Sequence, residues 1–297
     1  MKNTDWPKDE IQRVARSSGK PLEVSCAETF LAAGWRARLG SHFADGALDV
    51  IRELDVLAEK EEPLSPDMPV RVRALVSCRG FPPDRSPLAY SVSPARVPSF
   101  SPRLLSGHRS RQTWAGRDQA YGPLDDLEGS AAARLLQASE LTDARPLVAF
   151  DMLERNVSAA KKNKHKGDAA VTYGRSRDGD RLLFGAVDSS IKAAFFWVQE
   201  DYQRRQPINF AALNVPVCVL SLPFWDTCID GGIPGEPEVK YRGYQSNAYP
   251  GRPSSREVMA LVWSVDRMAD LVTALDVLFR WFRDEIGAIS GLTTAST

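Results

Sequence analysis

Arg52-Glu53-Leu54-Asp55-Val56-Leu57-Ala58 and, shortly after it, Val72-Arg73-Ala74-Leu75-Val76-Ser77-Cys78-Arg79-Gly80 are the two stretches that decide how this chain folds. Successive side chains of an extended strand point to opposite faces, so an apolar run with this alternation predicts a half-buried strand. Over residues 48–58, Val50, Arg52, Leu54 and Val56 oppose Ile51, Glu53, Asp55 and Leu57. An acid between Leu54 and Val56 is costly on so apolar a strand unless something pairs with it. Residues 70–78 predict the next strand, and the Glu- and Pro-rich residues 59–69 predict the loop between the two.

Working outward, residues 22–33 predict a helix. Cys26, Ala27, Phe30 and Leu31 form a stripe at helical spacing, Gly34 suits the stop, and Glu23 sits just off the stripe. Trp35 to Leu39 alternates as a short strand. Downstream, residues 81–110 are rich in Pro, Ser and Arg and predict an excursion from the core, a long loop with a little structure. Helical patches follow within 124–158, then the basic run Lys161-Lys162-Asn163-Lys164-His165-Lys166. Leu183, Val187, Ile191, Phe195, Val198 and Tyr202 mark an amphipathic helix. Residues 215–220 read as a strand covered on both faces, residues 257–263 as a further strand, and about 266–286 as a last helix. The tail 290–297 is expected to be disordered. The whole reads as one domain, 1–297, with an insertion over 81–180.

The totals narrow the functional classes. With 297 residues, 43% hydrophobic and 26% charged, the chain can bury a sizeable core. Lys and Arg number 38, as do Asp and Glu, which argues against an evenly basic nucleic-acid coat while allowing a local groove. No apolar run approaches the roughly 20 residues of a membrane span, and the first residues lack a leader's apolar core. The expected location is cytoplasmic, with Cys26, Cys78, Cys218 and Cys228 as scattered buried thiols and no zinc spacing.

Helix, three-stranded antiparallel meander, helix, strand is an order that resembles the PD-(D/E)xK, or restriction-endonuclease-like, superfamily. The likeness covers residues 22–80 well and 181–222 loosely. Arg52-Glu53-Leu54-Asp55-Val56 is similar to the Arg-Glu-Ile-Asp-Val of a bacterial branch. Val76-Ser77-Cys78-Arg79 is similar to its Val-Glu-Cys-Lys. The resemblance implies an α/β fold with a mixed sheet flanked by helices, and a nuclease acting on DNA in bacterial defence or DNA processing. It further implies Mg²⁺ held by Asp55 and Glu23, with catalytic positions at Glu23, Asp55, Ser77 and Arg79. A hard cation held by carboxylate oxygens beside the scissile phosphate is what phosphodiester hydrolysis asks for.

Two positions depart from the pattern. Ser77 stands where the resemblance implies a carboxylate, which removes a negative charge from the metal site. Arg79 stands where it implies Lys; a guanidinium stays protonated and cannot act as a base, though it can grip a phosphate. Both an active, weakened nuclease and a catalytically dead module binding nucleic acid or a protein partner stay open. A third reading is an interaction protein with an incidental likeness. Lys161, Lys162, Lys164 and Lys166 are candidate phosphate contacts. Ser18-Gly19-Lys20-Pro21 lacks the first glycine and the hydroxyl residue of a phosphate-binding loop, and is set aside. His42, His108 and His165 show no triad spacing.

Overall fold

The computed structural model describes residues 19–45, 50–66, 68–82, 84–93, 105–108, 122–157, 171–176, 179–203, 210–248 and 257–290, with residues 7–9 and 12 besides. Helix α1 (Lys20–Ala32) leads into a meander of β1 (Arg36–Asp45), β2 (Val50–Ser65) and β3 (Met68–Arg79). Then come β4 (Arg85–Val92), β5 (Leu105–His108), α2 (Gly122–Ala138), β6 (Pro146–Val157) and β7 (Val171–Ser176). Helix α3 (Gly179–Gln203) precedes β8 (Phe210–Leu220). The remainder is β9 (Phe224–Asp230), β10 (Ile233–Pro234), β11 (Glu238–Lys240), β12 (Arg242–Ala248), β13 (Glu257–Ser264) and α4 (Met268–Ser290). No helix among the described residues is long and apolar enough to cross a membrane.

All the strands join one mixed sheet, in the order β1-β2-β3-β8-β13-β12-β6-β4-β9-β10, with β11, β5 and β7 paired to β9, β8 and β6. The meander is antiparallel. The α3 crossover then lays β8 parallel to β3, residue by residue from Val70↔Ala211 to Arg79↔Leu220. Every residue of β8 is buried, because β8 sits between β3 on one side and β5 and β13 on the other.

Two layers of helix cover this part of the sheet. Cys78 Sγ lies 3.8 Å from Cys26 Sγ on α1, whereas Arg73 is bonded to Asp201 on α3. Positions 73 and 78 differ in parity, so α1 and α3 cover opposite faces. α4 shares the α1 side: Asp276 accepts from Trp35 Nε1 at 2.8 Å and from Lys60 Nζ at 2.7 Å. Gly34, at φ 79°, ends α1 in the left-handed turn that an L side chain resists.

The meander is longer than its composition predicts. Residues 59–69 are not a loop: β2 runs on to Ser65 and pairs with β3 down to Met68. The acids that suggested a loop are matched by flanking strands. Glu59 bonds Arg36 and the buried Arg73, and Glu61 bonds Arg71. Arg73 also bonds Asn214 and stacks on Trp197.

Within residues 81–110 the structure is more than a little: β4 alternates buried and half-buried side chains and pairs with β6 and β9. The segment read as an insertion thus supplies β4, β5, β6 and β7 to the same sheet. Proline and serine hid this, because β4 draws its partners, β6 and β9, from distant parts of the chain. The tail 291–297 and the basic run with Lys161, Lys162, Lys164 and Lys166 lie outside the described residues.

Candidate functional site

The paired part of β2 and β3 begins at Val56↔Val76, and beyond it the two strands separate. Side-chain alternation breaks at the same point. Leu54 and Leu57 both join the cluster packed on Ala193 and Ala194 of α3, while Val56 and Ala58 join the other core. Positions 54 and 57 would face opposite ways on a regular strand, so the irregularity falls on Asp55. Opposite it on β1, Gly40 has φ 63°, a conformation that glycine adopts without strain.

Asp55 fills the gap that this opens. Its Oδ2 accepts the Cys78 amide at 2.6 Å, replacing a ladder bond with a side-chain one, and lies 3.4 Å from Arg79 Nη1. Arg79 also donates to the Cys78 carbonyl at 2.7 Å. The end of β3 is held in place from β8: Ser221 donates its amide to the Arg79 carbonyl, and its hydroxyl accepts from the Phe81 amide, both at 2.9 Å.

Glu23, from the first turn of α1, is buried at 6% exposure and receives Lys20 Nζ at 2.8 Å. The same ammonium reaches Glu53 at 3.1 Å. Burial pushes the Asp55 carboxyl above its usual range. The Cys78 hydrogen bond and then Arg79 pull it back, and the Glu23 charge pushes it up again. Its environment therefore still favours an added positive charge. Both glutamates hold Lys20 well above the ordinary lysine range.

The predicted residues converge only in part. Asp55 and Arg79 are in contact, and Glu23 acts on Asp55 electrostatically. Ser77 is on the strand next to Asp55, as expected, but it does not complete the group. It has the parity of Arg73 and Leu75, which face α3, and is 1% exposed. Ser77 is thus turned away from α1 and Glu23, and the Asp55 carboxylate addresses the β3 main chain instead.

The alternation rule could not reveal this, because the rule itself fails at Asp55. The residue missed outright is Lys20. Its signal was a lysine one helical turn before Glu23, inside the glycine-lysine pair set aside as a poor phosphate loop.

The fit to a divalent cation rests on Asp55 and Glu23. No group of three or more His, Cys, Asp or Glu side chains suited to a metal occurs among the described residues. Mg²⁺, however, is commonly held by one or two carboxylates, with waters and substrate phosphate completing the shell. The thiols are poor candidates. Hydrogen bonding to Cys26 and burial hold the Cys78 thiol strongly protonated, and burial pushes Cys218 up to about 12. Comparison of the chain with protein-family models, with curated proteins and with solved structures finds no match.

Proposed function

We propose that this chain is a nuclease-fold protein of the PD-(D/E)xK type that engages DNA phosphodiesters and hydrolyses them weakly with a divalent metal. The observation that carries the reading is the opening between β2 and β3, where Asp55 meets the end of β3 and Glu23 approaches from α1. A carboxylate raised by burial and by a like charge is the arrangement expected where a cation is to be added. Mg²⁺ held by Asp55 and Glu23 would supply Lewis-acid polarisation of a phosphoryl oxygen. Arg79 would orient a phosphate through paired N–H groups, and Lys20 would add positive charge at the rim. Ser77 brings no third carboxylate, which is the reason for assigning low turnover.

A second reading is favoured by one contact, the Arg79–Asp55 ion pair. An internal guanidinium can stand where a metal otherwise would, leaving a module that binds nucleic acid or a protein partner without cutting. Nicking of supercoiled plasmid with Mg²⁺ or Mn²⁺ separates the two. Weak nicking by the wild type, abolished by Asp55→Ala in a folded sample, supports the enzyme. DNA retention without nicking, unaffected by metal, supports the nucleic-acid binder, and neither activity in folded protein rejects every reading in which the chain engages DNA.

A further inference from the structure

Away from Asp55, a cavity of about 790 Å³ opens between the turn after α2, the β10–β11 segment and the start of α4. That volume is in the range of small-molecule sites, roughly 300–1,000 Å³. Its floor is apolar: Leu147 and Phe224 are buried and close over Gly243, where a Cβ would lie 3.0 and 3.3 Å from them. Asp226 lies beside this floor. Its Oδ2 accepts from Ser91 Oγ at 3.1 Å, while the buried Oδ1 has no hydrogen-bond partner. A buried polar atom left unpartnered costs about 1–3 kcal/mol and calls for an explanation.

The rim carries a second oddity. Glu140 is the only non-glycine residue with positive φ among the described residues, at 53°. It occupies the left-handed position that closes α2, where Leu141 N reaches back to Leu136 O at 2.7 Å. A side chain there costs about 1 kcal/mol relative to glycine. What the glutamate gains is a bond to Arg242 on the opposite rim, at 2.6 Å.

The other rim charges sort into partners and remainders. Glu238 holds Lys240 and Asp270 holds Arg267. Among the described residues, Asp143, Asp226 and Glu236 form no ion pair, and of the lining cations only Arg145 forms none, acting at longer range on Asp226 and Glu238. The cavity therefore keeps a surplus of negative charge above an apolar floor.

We propose that this cavity binds a small aliphatic amine, a diamine or polyamine, with one ammonium at Asp226 and its methylenes on Leu147 and Phe224. A further ammonium meets Asp143 and Glu236 at the rim. Burial pushes Asp226 above the usual carboxylate range, against the Ser91 bond and Lys240, and a bound ammonium offsets that penalty.

The test is calorimetric titration of the full chain with spermidine and, separately, with succinate as a small aliphatic dianion. The expected result is saturable one-to-one binding of spermidine and none of succinate. Asp226→Asn, which keeps the acceptor for Ser91, should weaken binding about tenfold or more, as a charge-assisted hydrogen bond implies. Glu236→Gln, at an exposed position, should weaken it less and serves if Asp226→Asn fails to fold. Absence of spermidine binding by folded wild type, equal binding of succinate, or unchanged affinity in both variants overturns the proposal. None of these outcomes depends on nuclease activity.

Discussion

Replacing Asp55 by Asn and by Ala separates what its carboxylate does for the strand from what its charge costs. The Cys78 amide donates to Oδ2 at 2.6 Å, at a place where the ladder offers it no other acceptor. Alanine leaves that donor unsatisfied in a half-buried site, a loss of about 1–3 kcal/mol. Asparagine can keep the bond through its carbonyl oxygen while shedding the buried charge.

The sign of the pH effect follows from the raised carboxyl. Its pKa in the folded state is above that in the unfolded state, so the folded protein binds the proton more tightly and the ionised form is destabilising. That penalty is absent below the unfolded value of about 3.9 and complete once pH exceeds the folded value. At pH 8, urea unfolding should therefore find Asp55→Asn at least as stable as wild type, and Asp55→Ala about 1–3 kcal/mol below Asp55→Asn. The advantage of Asn over wild type should shrink on acidification through the carboxylate range. Equal midpoints and slopes for Ala and Asn would refute the bond to the strand. An Asn variant less stable than wild type at pH 8, closing the gap in acid, would refute the raised carboxyl.

Arg73→Leu removes the guanidinium that bonds the buried Asp201 at 2.6 Å, leaving Arg71 at 3.9 Å, and should lower unfolding free energy by about 3–5 kcal/mol, read by urea titration. Adding Asp201→Leu should recover part of that loss, and no recovery would argue against an uncompensated charge as the cause. Ser77→Glu places a carboxylate on the buried α3 face, so it should lower the melting temperature by several degrees without raising Mn²⁺ affinity. Tighter Mn²⁺ binding by this variant would show that position 77 does reach Asp55.

The meander and its two covering helices were legible because Leu54 to Ala58 is an apolar run, Val70 to Cys78 alternates strongly, and Cys26, Ala27 and Phe30, then Leu183, Val187 and Ile191, recur at helical spacing. Three things were hidden, each for a physical reason. Glu59 and Glu61 read as loop residues because their partners, Arg36, Arg71 and Arg73, sit on other strands. Strands β4, β6, β9 and β12 are short or carry polar residues, and each has at least one sheet neighbour from a distant part of the chain, which no local window reveals. At the site, Asp55 and Arg79 could be read from spacing, while the turning away of Ser77 depends on an irregularity that no period predicts. Lys20 was visible as a residue and lost by association with a motif that failed.

The parallel ladder between β3 and β8 also sets a birth order. Residues 70–79 leave the ribosome long before residues 211–220, which complete their pairing and, through Ser221, fix Arg79. Contacts so distant along the chain form slowly. A nascent chain that has emerged only through α2 thus carries Asp55 and Arg79 without the strand that aligns them. Whatever this corner binds, it becomes competent only once Ser221 has emerged and the β3–β8 ladder has closed.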